Sequence, residues 1–226
     1  PATASTYVYN NQALDLPSYE IAECLEELFE NLLVGSAVTD KIYPWNRVAD
    51  TFNLPLFAPE YRIEKMKNTG NEVYILAGVK GNIYKTQGTY VDLVRKVPEH
   101  LINNSATLTA SPVTWGGIAS MNGSVLFGLA GQTSANDGVW RLYPDGRLIQ
   151  QTTASTGASS GTAIFAETEY FYFGYSGGAD YVDTTRYANF ETILQSPLYP
   201  IAGAQEFEKF SHLEVQTATP ATSGQL

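Results

Sequence analysis

Four runs of nearly unbroken apolar residues, each closing on a glycine, punctuate the chain: Leu32-Leu33-Val34-Gly35, Tyr74-Ile75-Leu76-Ala77-Gly78, Val125-Leu126-Phe127-Gly128 and Phe171-Tyr172-Phe173-Gly174. Their glycines fall 43, 50 and 46 residues apart. Short runs with no polar side predict strands covered on both faces. Glycine is expected to end each one where the chain turns. After a loop of variable length comes a second strand pattern carrying a large aromatic: Ile42-Tyr43, Ile83-Tyr84, Val139-Trp140 and Asp180-Tyr181. A further strand is predicted over 52–57, 90–97, 147–151 and 190–198.

A proline motif opens the units. Pro17-Ser18-Tyr19-Glu20-Ile21 returns 42 residues later as Pro59-Glu60-Tyr61-Arg62-Ile63, and more loosely as Pro98-Glu99-His100-Leu101-Ile102. Each proline ends the preceding strand, and the β-branched residue four places on starts the next. Four strands per unit at a period of forty to fifty residues is the arithmetic of propeller blades. The fold expected is therefore all-β: a propeller-like array over 1–200 of about four four-stranded blades, at 21–60, 61–99, 114–155 and 161–200. Residues 1–16 are expected to supply a strand of a further or closing blade. Residues 201–226 alternate differently and read as the start of a C-terminal β-sandwich-like segment. The chain begins at Pro1 and breaks off mid-pattern at Gln225-Leu226, so it reads as a piece of something longer.

One stretch carries two patterns at once. Ile21, Cys24, Leu25, Leu28, Phe29 and Leu32 lie at helical spacing among glutamates, which predicts an amphipathic helix. The repeat instead requires a strand, a hairpin turn and a second strand there. The repeat takes precedence, because tertiary context overrides local propensity. A short helical turn over 25–30 would satisfy both patterns.

Composition narrows the function more than the fold. The 226 residues include fifteen Tyr, ten Phe, nineteen Gly and eleven Pro, the balance of strands separated by tight turns. Thirteen basic against twenty-three acidic side chains give a net charge of −10, and the cations are scattered, which argues against a nucleic-acid partner. No stretch has the length of a membrane span and no signal pattern opens the chain. Cys24 is the sole cysteine and reads as a small buried hydrophobe.

No constellation points to catalysis, a metal or a cofactor. A histidine base would have to be His100 or His212, and His100 holds the position of Tyr19 and Tyr61 in the repeat. A carboxylate pair could come from Asp137, Asp145, Asp180 and Asp183. Asp137-Gly138 and Asp145-Gly146, however, are dipeptides that hairpin turns require. Asp180 and Asp183 flank one strand as solvated ends. Arg47, Arg62, Arg95, Arg141, Arg147 and Arg186 read as surface residues. The positive signal lies in long polar loops over 103–111, 131–136 and 152–161, rich in Ser, Thr, Asn and Gly, an adaptable composition suited to recognition. Candidate contact residues are Asn103, Asn104, Gln132, Ser134, Asn136, Ser155 and Ser159.

Several of these segments, taken in order, resemble one family: residues 32–35, Ile42-Tyr43-Pro44-Trp45, 78–84, Trp115-Gly116-Gly117-Ile118, 138–140, 190–198 and Leu213-Glu214-Val215. From about residue 19 onward the chain is similar to propeller-bearing virion structural proteins of tailed bacteriophages. That resemblance implies a non-enzymatic virion component, placed in the tail by the same likeness, present in several copies among other virion proteins. It also implies that the loops touch neighbouring virion proteins or a host surface receptor or glycan. It supplies no binding residues. The alternative is a carbohydrate-active propeller, lectin or glycosidase. Residues 134–140 are similar to the Asp-box of sialidase-type propellers, but with spacing one short, no Thr and a single occurrence.

Overall fold

The computed structural model describes residues 15–48, 51–97, 113–130, 138–153, 163–175 and 178–184. All of them belong to the first of two units into which the chain divides, 1–195 and 196–226. Every regular element among them is an antiparallel strand. Sheet one holds β1 (Ala22–Leu28), β2 (Asn31–Ser36), β3 (Lys41–Trp45) and β4 (Leu56–Phe57), and sheet two holds β5 (Ile63–Asn68), β6 (Val73–Ala77), β7 (Asn82–Thr86) and β8 (Val91–Lys96). Sheet three holds β9 (Thr114–Met121), β10 (Ser124–Ala130), β11 (Gly138–Leu142) and β12 (Leu148–Thr153). Sheet four has β13 (Ala163–Ala166), β14 (Tyr170–Tyr175) and β15 (Gly178–Asp183) among the described residues. Each sheet is a meander whose strands neighbour one another in chain order.

The first strand of each sheet lies against the first strand of the next: β1 on β5, β5 on β9, β9 on β13. Successive sheets thus stack face to face from a common inner edge, the arrangement of propeller blades, in an array that is not closed among the described residues. Alternation along the strands explains why. In sheet two, Val73, Ile75, Ala77 and Tyr84 join Leu28, Leu33 and Ile42 of sheet one in one apolar cluster. Their neighbours Tyr74, Leu76 and Ile83 join Val125, Phe127, Leu129 and Trp140 of sheet three in another. Leu126, Val139 and Met121 leave the opposite side of sheet three to meet Phe171 and Phe173 of sheet four. Each sheet therefore has a rear face toward its predecessor and a front face toward its successor. Fully burying a side chain of this class is worth about 1.5–3 kcal/mol, so the seams hold the stack together. Polar pins cross them: Lys67 Nζ to Glu26 Oε2 at 3.1 Å, Trp115 Nε1 to Gly78 O at 3.0 Å and Asn122 Nδ2 to Thr168 O at 3.0 Å.

The contested stretch is β1, a turn at Phe29 and Glu30, and β2, with Leu28 paired to Asn31. The helical turn over 25–30 is absent, because Leu28 and Leu33 reach the seam only from extended backbone. Four further expectations need correction. The strand over 52–57 is confined to Leu56–Phe57. Ile21 and Ile63 are not equivalent: Ala22 pairs with Ser36 as Ile63 pairs with Ala77, so the proline motif is one residue out of step with the strands. Ile21 precedes β1 and is 60% exposed, whereas Ile63 opens β5 and is fully buried. Tyr181 is likewise out of step with Tyr43, Tyr84 and Trp140; it pairs with Tyr172 on the front face instead of lying on the rear.

The last correction concerns the glycines. Gly78, at φ +61°, follows its strand as expected. Gly35, Gly128 and Gly174 lie inside β2, β10 and β14. At Gly35 the reason is close approach: an added Cβ would stand 2.7 Å from Ile63 Cγ2 and 2.8 Å from Cys24 Sγ.

Candidate functional site

The segment leading into β1 folds back in a turn, Glu20 N donating to Pro17 O at 2.8 Å, which sets the Glu20 carboxylate over the rear face of sheet one. That carboxylate is buried and accepts hydrogen bonds from Ser36 Oγ, Thr39 Oγ1 at 3.0 Å and Tyr43 OH at 2.9 Å, with Lys41 Nζ 3.6 Å away. Burial raises its pKa, but the bonds from Ser36, Tyr43 and Thr39, with the Lys41 charge, outweigh burial and hold it below the usual carboxylate range. Ser36 Oγ also accepts from the amides of Val38 and Thr39, so the same network fixes the β2–β3 turn. Burial and the bond to Glu20 push the Tyr43 phenol up to about 12.

The linker into sheet two repeats the device. Glu60 is buried and accepts from Tyr84 OH at 3.0 Å and from Asn82 Nδ2. Burial and that bond push Tyr84 up to about 12 as well. Tyr43 and Tyr84 occupy the same register, paired with Val34 and Ile75. A linker carboxylate thus caps the third-strand tyrosine of sheets one and two from behind. The sequence reading missed this because the proline motif aligns Glu20 with Arg62. The readable signal was a tyrosine 23 residues after one linker glutamate and 24 after the other. Both carboxylates spend their acceptor capacity on protein donors, which suits bracing. Behind sheet two the Tyr84 ring is covered by sheet one. Behind sheet one, Tyr43 packs on Phe52 at 5.4 Å and borders a cavity of about 430 Å³ walled also by Leu16, Pro17, Asn53 and Pro55.

The front face of sheet four is the other conspicuous surface. Phe165, Tyr172 and Tyr181 lie side by side across β13, β14 and β15, with ring centroids 6.2 and 6.1 Å apart, and Tyr170 stands 6.2 Å from Tyr181. Phe165, Tyr172 and Tyr181 are 60%, 43% and 58% exposed. The corresponding rows of the other sheets, such as Tyr74, Leu76 and Ile83, are buried.

All seven contact residues singled out in the loops, Asn103, Asn104, Gln132, Ser134, Asn136, Ser155 and Ser159, lie outside the described residues, as do His100, His212, Asp137 and Arg186. Asp145 is a turn residue as expected: Gly146 N donates to Tyr143 O, and the carboxylate holds Arg147 Nε at 2.6 Å. Asp180 and Asp183 do not flank a strand; both belong to β15. Its regular register puts residues three apart on opposite faces, so their carboxylates do not converge. Arg141 is not a surface arginine. Its guanidinium is buried, donating to Ser124 Oγ at 2.6 Å and Met121 O at 3.2 Å over the Tyr143 ring. Cys24 packs against the first seam as expected, and burial pushes its thiol up to about 12. No group of three or more His, Cys, Asp or Glu side chains suited to a metal occurs among the described residues, and no described helix could cross a membrane.

A run of meander sheets stacked by their inner strands defines a propeller-like repeat protein. Solved structures agree on the fold. The computationally designed Ika4 protein superposes with a TM-score of 0.56 at 12% identity, over 77% of this chain and 99% of that one. BamB from Moraxella catarrhalis does so with a TM-score of 0.54 at 11% identity, over 80% of this chain; the match spans 52% of BamB. At such identities the likeness shows the fold alone. No family model matches the chain, and no curated protein sequence matches it.

Proposed function

We propose that the chain is a non-enzymatic scaffold of a bacteriophage tail, joining other virion proteins through the faces at the ends of its sheet stack. The observation that carries this reading is the aromatic front face of sheet four. Tyrosine-rich surface of this kind, apolar in body and polar at the tip, is the composition of protein interfaces. Phe165, Tyr172 and Tyr181 stand in water at a register that is buried in the other sheets. The tail assignment itself draws on the sequence resemblance, and the polar loops that include Asn103, Gln132 and Ser155 supply further contacts to a host receptor or glycan.

The test is mass spectrometry of purified virions from a phage encoding the chain, with Tyr172→Glu and Tyr181→Glu variants alongside. The wild-type chain is expected in stoichiometric amounts, with the variants folded but depleted from particles. Virions lacking the wild-type chain overturn the assignment. The competing glycosidase reading needs two carboxylates facing one cleft, and Asp180 and Asp183 leave opposite sides of β15. Undiminished sugar hydrolysis would have to come from other residues.

A further inference from the structure

The first hairpin of sheet three turns on Asn122-Gly123, the one Asn-Gly step in the sequence. Met121 pairs with Ser124 across it, and the two turn residues have φ of +49° and +71°, the left-handed pair that a two-residue hairpin loop requires. The turn alone accounts for the dipeptide. It does not account for the side chain, whose Nδ2 donates to Thr168 O of sheet four at 3.0 Å. Thr168 sits in the β13–β14 turn, closed by Glu167 N donating to Tyr170 O at 2.8 Å, with Glu169 O held by Thr184. The Asn122 amide thus ties two fixed turns together across the seam between sheets three and four.

We propose that Asn122 is a site of spontaneous deamidation, reached when sheets three and four part, and that the reaction prevents the tie from re-forming. The inference goes beyond the scaffold reading and does not depend on it. Both turn residues are exposed, and no atom lies within 4 Å of a Cβ added at Gly123, so water and base reach the turn. The backbone nitrogen of Gly123, having given its proton to base, attacks Asn122 Cγ. A C–N bond closes a succinimide ring as the Cγ–Nδ2 bond breaks, and ammonia leaves with the proton that the base returns. Water then opens the ring at either carbonyl, leaving aspartate, or isoaspartate where the chain runs through Cγ. Water is consumed and ammonia released; nothing is oxidised or reduced.

The bond to Thr168 O fixes the carboxamide, which must swing round to meet the Gly123 nitrogen, so the ring closes only once that bond is open. In the product the donor is gone. A carboxylate oxygen then faces the Thr168 carbonyl, acceptor against acceptor. Its charge also arrives beside a turn that already carries Glu167 and Glu169. Parting of the sheets therefore exposes the amide, and loss of the amide disfavours their return.

The test follows the Asn122 peptide of the full chain by mass spectrometry in mildly alkaline buffer, folded and unfolded in guanidinium chloride. Deamidation is expected in both, about 2- to 12-fold slower in the folded chain, the protection a single hydrogen bond gives. Gly117→Ala, which forces β9 from β13, is expected to raise the folded rate, and Gly146→Ala, whose strain lies in the β11–β12 turn, to leave it unchanged, with circular dichroism to check folding. Asn122→Asp mimics the product, while Asn122→Gly removes the tie without adding charge and keeps the left-handed backbone. Loss of the bond is expected to lower the melting temperature by about 1–6 °C in each, with Asn122→Asp the lower of the two and the gap closing in added salt. An unmodified Asn122 in both states overturns the proposal, as does a folded rate equal to the unfolded one. So does an Asn122→Asp protein that melts with the wild type, since the seam would then be indifferent to the amide.

Discussion

Replacing Gly117 by alanine tests the stacking of sheets three and four at its tightest point. Gly117 lies in β9, and a Cβ built there would stand 2.6 Å from Ile164 N, 2.8 Å from Ala163 Cα and 2.9 Å from Ala163 C. All three atoms are backbone of β13. No side chain can swing aside, so the two first strands must separate. Overpacking in a filled core costs typically 1–3 kcal/mol and more where the surroundings cannot yield. A backbone obstacle places this change at the upper end, about 2–4 kcal/mol. For a chain of this size each kcal/mol lowers the melting temperature by about 2–4 °C, so a drop of roughly 4–16 °C is expected. Two comparisons isolate the cause. At Gly35 the obstacles are the Ile63 and Cys24 side chains, and Gly35→Ala should cost less. At Gly146, with φ +84° and nothing within 4 Å of an added Cβ, the cost is left-handed backbone strain alone, about 1–2 kcal/mol. Differential scanning calorimetry on the three variants gives the order. A Gly117→Ala protein melting within about 1 °C of the wild type would refute the packing of β9 on β13.

Three further outcomes follow from the linker carboxylates and the buried thiol. Tyr84→Phe should destabilise more than Tyr43→Phe in urea titrations, by about 1–3 kcal/mol, because Glu60 keeps only Asn82 as a named side-chain donor whereas Glu20 keeps Ser36 and Thr39; equal losses would count against the networks described. Glu20 and Glu72 have pKa values held below 4.5 in the folded chain, the latter because bonds from Lys85 and Tyr74 outweigh burial. Their stabilisation is present above the unfolded value and is lost as pH falls through the lower folded one. Melting temperature should therefore drop on acidification below about pH 4.5, with a shallower slope in Glu20→Gln; an unchanged slope would remove Glu20 from the account. Cys24, with its thiol pushed up to about 12, should resist iodoacetamide in the native state and react on unfolding, as mass spectrometry would show; rapid native labelling would contradict its burial.

The strands were readable wherever a run is covered on both sides. Tyr74 to Ala77 and Val125 to Leu129 serve two seams at once, so they lack a polar face and stand out from the row. Register was not readable from the same signals. The proline motif spaces the first two units at 42 residues, whereas Val34 and Ile75, and Tyr43 and Tyr84, are 41 apart. The bulges in β1, between Ala22 and Cys24, and in β5, between Ile63 and Lys65, fall at one register, so the one-residue difference lies in the linkers ahead of the strands. The capping carboxylates stayed hidden for that reason, since Glu20 and Glu60 coincide in space and not in the motif. Gly117 stood in the row as part of a family pattern; its role depends on a strand some forty-six residues later, which no local pattern encodes.

Tyr181 shows how one such slip bears on function. Aligned by residue type it continues the series Tyr43, Tyr84, Trp140, and would belong to the rear face, packed against sheet three. Paired with Tyr172, it belongs to the front, and Phe171 and Phe173 take the rear instead. The inner front rows include Leu28, Leu33 and Ile42 in sheet one, and Met121, Leu126 and Val139 in sheet three. Those residues need permanent cover, having nothing to offer water. Tyr172 and Tyr181, being exposed, carry hydroxyls that water satisfies. Sheet four thus differs from sheets one and three in a front row whose two tyrosines tolerate water.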